Sequence, residues 1–418
     1  MSMKQIVSSI TRRTAIAAGI VAMSGAALLS NQAWSQAKEI KVAIIAPISG
    51  PWARPGQLIQ MGAQMAVDEI NAGGGIKSQG GAKLKLIIAD AGDSAEKAKN
   101  AAQRLIAQEP DLIGGTGAWL SSFTLAVTEV TERAQIPWLT LSYADNITDR
   151  GFKYVFQTSP VASSQSMGSI PVLMEIAKSA TGKVPTTVGI IGDNTASPVF
   201  FLKPLREGGL TKMGLKTLMD ETYTPPLSDA TPLIQKVRNN RPDMLLFIST
   251  TVSDLKLGLE KMNEFRLGKG AIPVIANGAH MGAPEVLKNV PAELLEGLIF
   301  SVANWNLKGH EAVNANFKKR TNEPWITQDA ITAYGDMWIL KEALERAKVA
   351  DKVKVAEEIR KMDLKDGPAA NAFPGGVKFD EKGRRMNAPL VMVQWQKGVP
   401  VTISPPDRAL GKVLWPKQ

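Results

Sequence analysis

The sequence has no cysteine and only two histidines, His280 and His310. The missing thiols exclude disulfides, cysteine nucleophiles and thiolate-bound zinc. A Ser-His-Asp hydrolase would have to use one of the two histidines, and neither sits in a recognisable nucleophile context. Beyond residue 37 no segment is long and apolar enough to suggest a membrane span. Acidic residues are in deficit, 39 against 49 Lys and Arg, a net charge of +10. The densest basic run, Phe317-Lys-Lys-Arg320, lacks interleaved aromatics, so the excess reads as a solvated surface and nucleic acid is not expected as a partner. Gly73-Gly-Gly75 follows a helix, and Gly114-Gly-Thr-Gly117 lacks both dinucleotide spacing and a lysine, so no nucleotide cofactor is expected.

What is present fits a globular protein. The 418 residues are 44% hydrophobic and 21% charged, enough for two or three domains with real cores. Residues 1–37 read as an export signal: Lys4, Arg12 and Arg13 precede a small apolar stretch over 15–29, and Ser35 and Ala37 suit cleavage. The Arg12-Arg13 pair leaves twin-arginine and Sec export both open. The expected location is the periplasm.

The remainder alternates short apolar runs with helical periodicity. Strands are predicted at 40–46, 84–90, 111–114 and 136–141, with helices over 57–71, 95–108 and 121–134 between them. The rhythm restarts after Pro160: helices over 163–178, 199–213, 228–239 and 254–265, strands at 187–191, 244–248 and 272–276. Long and short helices follow near 328–348 and 353–362, then a strand at 390–395 and a tail read as a surface strap. Such repetition predicts an α/β fold of parallel sheets with helices on both faces, built twice.

Open α/β sheets bind ligands at the carboxyl ends of their strands. The loops there carry Trp52 and Arg54; Trp119, Ser121 and Ser122; Ser142, Tyr143 and Ala144; Ser197; Thr251; and Asn277 with His280. Hydroxyls and helix N-terminal N–H groups suit an anionic group, and tryptophan rings suit an apolar body. Each has a plainer reading: Ser121 as a helix cap, the tryptophans as packing, Asn277 as a turn residue, Arg54 as a solvated loop arginine. His280 is placed to donate to a carboxylate; His310 is expected to be exposed.

These loops, in order, resemble the solute-binding proteins of branched-chain amino acid ABC transporters, the leucine/isoleucine/valine-binding class. The resemblance is carried by Pro47-Ile-Ser-Gly-Pro51, Asp68-Glu-Ile-Asn-Ala-Gly-Gly-Gly-Ile76, Ile136-Pro137, Asp149-Arg-Gly-Phe152, Pro242-Asp243 and Phe379-Asp-Glu-Lys-Gly383. It implies a type I periplasmic binding fold of two Rossmann-like lobes joined by a three-segment hinge. The lobes are expected over 38–161 with 303–389, and over 162–302 with 390–418. It also implies a non-enzymatic monomer that closes on a small ligand and delivers it to a membrane permease driven by ATPases. A sensor of the same fold is the other reading.

Carried over by position, the resemblance puts the ligand carboxylate on Ser121, with Ser122 beside it, and on Ser142 and Ala144. The acid that would hold an ammonium falls at Gly278, next to Asn277; the two lobe-two aromatics fall at Thr251 and Ser197. With Asp145 and Asp193 as the only nearby alternatives, an α-amino acid is disfavoured. A carboxylate, amide or aromatic acid without an α-ammonium is expected, with Trp52 and Trp119 flanking its planar part.

Overall fold

The computed structural model describes residues 39–268 and 271–415. The export signal read over 1–37 lies outside the described residues.

The first sheet is built from β1 (Glu39–Ala46), β2 (Lys83–Asp90), β3 (Gly114–Gly117), β4 (Trp138–Thr140) and β5 (Val155–Gln157), interleaved with α1 (Ala53–Ala72), α2 (Ala95–Gln108) and α3 (Ser121–Arg133). Its order is β2-β1-β3-β4-β5, all parallel. Both faces are covered, which is why β1 reads as a continuous apolar run. Val42, Ile44 and Ala46 face one core, and Ala43 and Ile45 the other, with Phe123 and Val127 of α3.

After α4 (Ala162–Thr181) the pattern repeats: β6 (Thr187–Asp193), α5 (Ala196–Pro204), β7 (Lys216–Tyr223), α6 (Thr231–Asn240), β8 (Met244–Ile248), α7 (Val252–Glu264), β9 (Val274–Asn277) and β10 (Ile299–Val302). Then α8 (Glu311–Thr321), α9 (Gln328–Ala347) and α10 (Lys352–Arg360) precede β11 (Val391–Gln396) and β12 (Val399–Ser404). The second sheet runs β12-β11-β10-β9-β8-β6-β7, with β11 antiparallel to both neighbours and the rest parallel. The two sheets establish the α/β class. The chain passes between them three times, after Gln157, after Val302 and before Val391.

Helix α9 is buried along most of its length, and its Ala330, Ile331, Ala333 and Met337 join the first sheet's core. It crosses α1 so closely that a side chain at Gly62 would strike the Ala330 carbonyl. Among the described residues no helix is long and apolar enough to cross a membrane.

Three local expectations need correction. Strand β3 occupies 114–117, not 111–114. The glycine run read as a loop is the strand itself, because Gly115 lies against the Trp138 ring and a side chain at Gly117 (φ +117°) would meet the Ile45 carbonyl. The helix expected over 199–213 breaks after Pro204, where Gly208 adopts φ 99°. A strand at 399–404 on the sheet edge was not expected; the tail read from Ser404 onward follows it, and its Leu414 donates its N–H to Gln394 Oε1 at 2.7 Å.

Candidate functional site

A cavity of about 60 Å³ lies between the two sheets, at the carboxyl ends of their strands. Its walls are Trp119 to Ser121 after β3, Leu141 to Tyr143 after β4, Ser197 and Pro198 after β6, Ile248 to Thr250 after β8, Asn277 to His280 after β9, and Gln328 with Asp329 at the start of α9.

Helices α3, α5 and α9 each present first-turn residues to this cavity, and none has a side-chain cap at its N-terminus. Uncapped N–H groups and the helix dipoles make the space favourable to an anion. Ser121 sits at the start of α3, and its Oγ accepts the Ala144 N–H at 3.1 Å. The hydroxyl proton stays available to a guest. The loop that delivers α3 is strained: Ala118 (φ 67°) and Trp119 (φ 49°) are both left-handed, and such residues cost about 1–3 kcal/mol each. That geometry carries the Trp119 side chain to the cavity wall.

Trp119 links the two sides. Its ring stands edge-on to His280, with centroids 5.9 Å apart, and its Nε1 donates to Asp329 Oδ1 at 3.2 Å. His280 Nε2 lies 3.0 Å from the Ser249 carbonyl, which can only accept, so Nε2 carries the proton. Burial lowers the His280 pKa to about 4, against the hydrogen bond to Ser249. The ring is therefore neutral near pH 7, and Nδ1 is an acceptor. Gly278 makes room for it: φ is +106°, and a Cβ there would sit 2.6 Å from His280 Cε1.

Asp329 is fully buried, and its Oδ2 has no hydrogen-bond partner. Burial raises its pKa to about 7, with the Trp119 N–H pulling the other way. Beside it, Gln328 Oε1 accepts from the Tyr143 hydroxyl at 2.7 Å and the Ala303 N–H at 2.8 Å.

Of the residues singled out from sequence, the structure brings Trp119, Ser121, Ser142, Tyr143, Ser197, Asn277 and His280 to the cavity wall. The others are placed elsewhere. Trp52 packs edge-on against Phe123 at 5.7 Å, in the core between α3 and the sheet. Ser122 points to solvent. Ala144 contributes its N–H to Ser121 and does not line the cavity. Thr251 caps α7 by accepting the Asp254 N–H. The Ser142 hydroxyl is engaged with the Trp119 carbonyl at 2.8 Å and with Thr124 at 2.6 Å.

Neither fallback acid faces the cavity. Asp193 bonds the backbone and hydroxyl of both Thr195 and Thr250, and Asp145 accepts from the Ser163 N–H and hydroxyl. Arg54 is neither solvated nor at the cavity: it contacts Glu285 and Glu323 at 2.7 and 2.5 Å. His310, expected at the surface, is buried, its nitrogens 3.0 and 2.8 Å from the Trp305 and Asn371 carbonyls. Gln328 and Asp329 escaped the sequence reading, whereas Ser249 and Thr250 fall in the loop 249–253 that it placed at the cleft without singling them out. Gln328 and Asp329 come from a helix that follows no strand.

A family model described as "Periplasmic binding protein" matches residues 39–400. The chain is 29% identical over 407 residues to Leu/Ile/Val-binding protein homolog 7 of Brucella suis, covering 95% of this chain and 99% of that one. Its fold matches a branched-chain amino acid substrate-binding protein of Streptococcus pneumoniae in complex with isoleucine (TM-score 0.74, 19% identity, 87% of this chain and 100% of that one). It also matches a solute-binding protein of Rhodopseudomonas palustris in complex with 3,4-dihydroxybenzoic acid (TM-score 0.71, 19% identity, 87% and 95%).

Proposed function

This chain belongs to the periplasmic binding protein family, and on that premise we propose that it is the extracytoplasmic solute-binding component of an ABC uptake transporter. It is exported by its N-terminal signal, acts as a monomer without catalysis, and hands its solute to a permease and its ATPases. Two lobes, 38–161 with 303–389 and 162–302 with 390–418, close on the solute by shifting an open–closed equilibrium.

The solute is a small carboxylate, amide or aromatic acid without an α-ammonium. One observation carries this reading: the cavity joins three uncapped helix N-termini to a Ser121 hydroxyl that accepts the Ala144 N–H and keeps its own proton to donate, a setting built for an anion. The carboxylates named from sequence, Asp145 and Asp193, are engaged by neighbouring donors away from the cavity, and burial pushes Asp329, the acid on its wall, toward the neutral form. The solved relatives hold an amino acid in one case and a hydroxylated aromatic acid in another, so the fold alone admits both.

The test is a thermal-shift panel on protein unfolded and refolded to strip carried-over solute. A ligand at ~1,000 times its Kd adds about 4 kcal/mol of stability. Shifts with simple or aromatic carboxylates and none with leucine support the reading; a leucine shift larger than any acid's rejects it.

A further inference from the structure

The cavity is anion-favouring on one wall and donor-hungry on another. Among the residues lining the cavity, the one buried side-chain atom left without a hydrogen-bond partner is an acceptor. Asp329 Oδ2 is buried and unbonded. His280 presents Nδ1 as a lone pair, because Nε2–H is committed to the Ser249 carbonyl. The Asn277 side-chain nitrogen already donates to Gln165 and Ser301, so it offers the guest no free donor. A buried polar atom without a partner costs about 1–3 kcal/mol, so Asp329 Oδ2 calls for a group that donates, with His280 Nδ1 a second acceptor beside it.

We propose that the solute carries a hydroxyl in addition to its carboxylate, and that Asp329 and His280, tied together by Trp119, read that hydroxyl. The inference rests on the carboxylate reading above and narrows it to hydroxylated acids. A hydroxyl fits better than an ammonium because the three helix N-termini place positive potential across the same small space, which opposes a cation. A neutral imidazole and a carboxyl that burial holds near its titration point suit a neutral donor.

Isothermal titration calorimetry on refolded protein tests this with matched acids. The aliphatic set is 4-methylpentanoate, its 2-hydroxy derivative and leucine, which differ only in H, OH or ammonium. The aromatic set is benzoate, 4-hydroxybenzoate and 3,4-dihydroxybenzoate. The expected result is that in at least one set the hydroxylated acid binds at least about tenfold more tightly than its parent. Asp329→Asn and His280→Phe should each bring that ratio toward one. Equal affinity for hydroxylated and parent acids overturns the inference while leaving the carboxylate reading intact. Leucine binding more tightly than the hydroxy acid overturns it too and makes Asp329 a counter-ion. If no acid in either set binds, the carboxylate reading falls and this inference falls with it.

Discussion

Arg54, in the first turn of α1, holds its Nε 2.7 Å from Glu285 Oε2, so a charge contact outside the cavity joins the first sheet's leading helix to the segment after β9. Glu323 completes the cluster from the chain between α8 and α9. The Nε contact lacks hydrogen-bond alignment, so its contribution is mainly the attraction of charges with side chains only 22% and 28% exposed.

Arg54 therefore favours the arrangement in which the two sheets meet. Arg54→Ala is expected to expand the solute-free protein in small-angle scattering and to weaken binding severalfold, since part of the binding energy must then drive closure. An unchanged radius of gyration together with unchanged affinity would show that the pair is ornamental to closure.

Ser121→Ala removes the hydroxyl that faces the cavity and leaves the Ala144 N–H without its acceptor. A hydrogen bond to a charged group contributes about 1.5–3 kcal/mol, so carboxylate affinity should fall by roughly 10- to 100-fold. Calorimetry reads this directly. A change below about twofold would place the carboxylate elsewhere.

Asp329→Asn is expected to stabilise the solute-free protein at neutral pH. Burial raises the folded pKa to about 7 from the ordinary 3.8. The folded state thus holds a proton that the unfolded state releases, and stability falls as pH rises from about 3.8 through about 7. Removing the ionisable group recovers at most about 4 kcal/mol at pH 8 and little at pH 4. Urea denaturation at the two pH values checks the sign; a mutant less stable than wild type at pH 8 would contradict it. Such a gain combined with poorer solute discrimination would mark Asp329 as a group kept for recognition at the expense of stability.

Gly278→Ala forces a side chain into a left-handed backbone (φ +106°) and against the His280 ring. The expected loss is roughly 1–3 kcal/mol, with weaker binding because His280 is displaced. Thermal denaturation and calorimetry on the same protein separate the two effects; a substitution neutral in both would mean that the ring does not depend on this contact.

The doubly wound architecture was legible because buried parallel strands leave continuous apolar runs, as in Ile40 to Ala46, and their helices leave a 3.6-residue period. Strand β3 was misplaced because three of its four residues are glycines, at positions crowded by β1 and the Trp138 ring, and the fourth is Thr116, so its hydrophobic signature is missing. The break at Gly208 is likewise invisible to periodicity, since apolar residues continue on both sides of it.

The cavity's strand-to-helix loops could be read, because topology dictates where they point. Trp52 could not be assigned: an aromatic in such a loop packs equally well into a cleft or a core, and here Phe123 takes it. Asp329 was hidden for another reason. An acid in the first turn of a helix reads as a solvated dipole partner, and only the crossing of the chain back to the first sheet buries it against Trp119.

A crystal structure of the refolded protein with the tightest-binding hydroxylated acid is the decisive measurement. The acid's carboxylate is expected within hydrogen-bond distance of Ser121 Oγ and the α3 N-terminus, and its hydroxyl at Asp329 Oδ2 or His280 Nδ1. A carboxylate bound away from Ser121, or a solute seated outside the space between the two sheets, would contradict this placement.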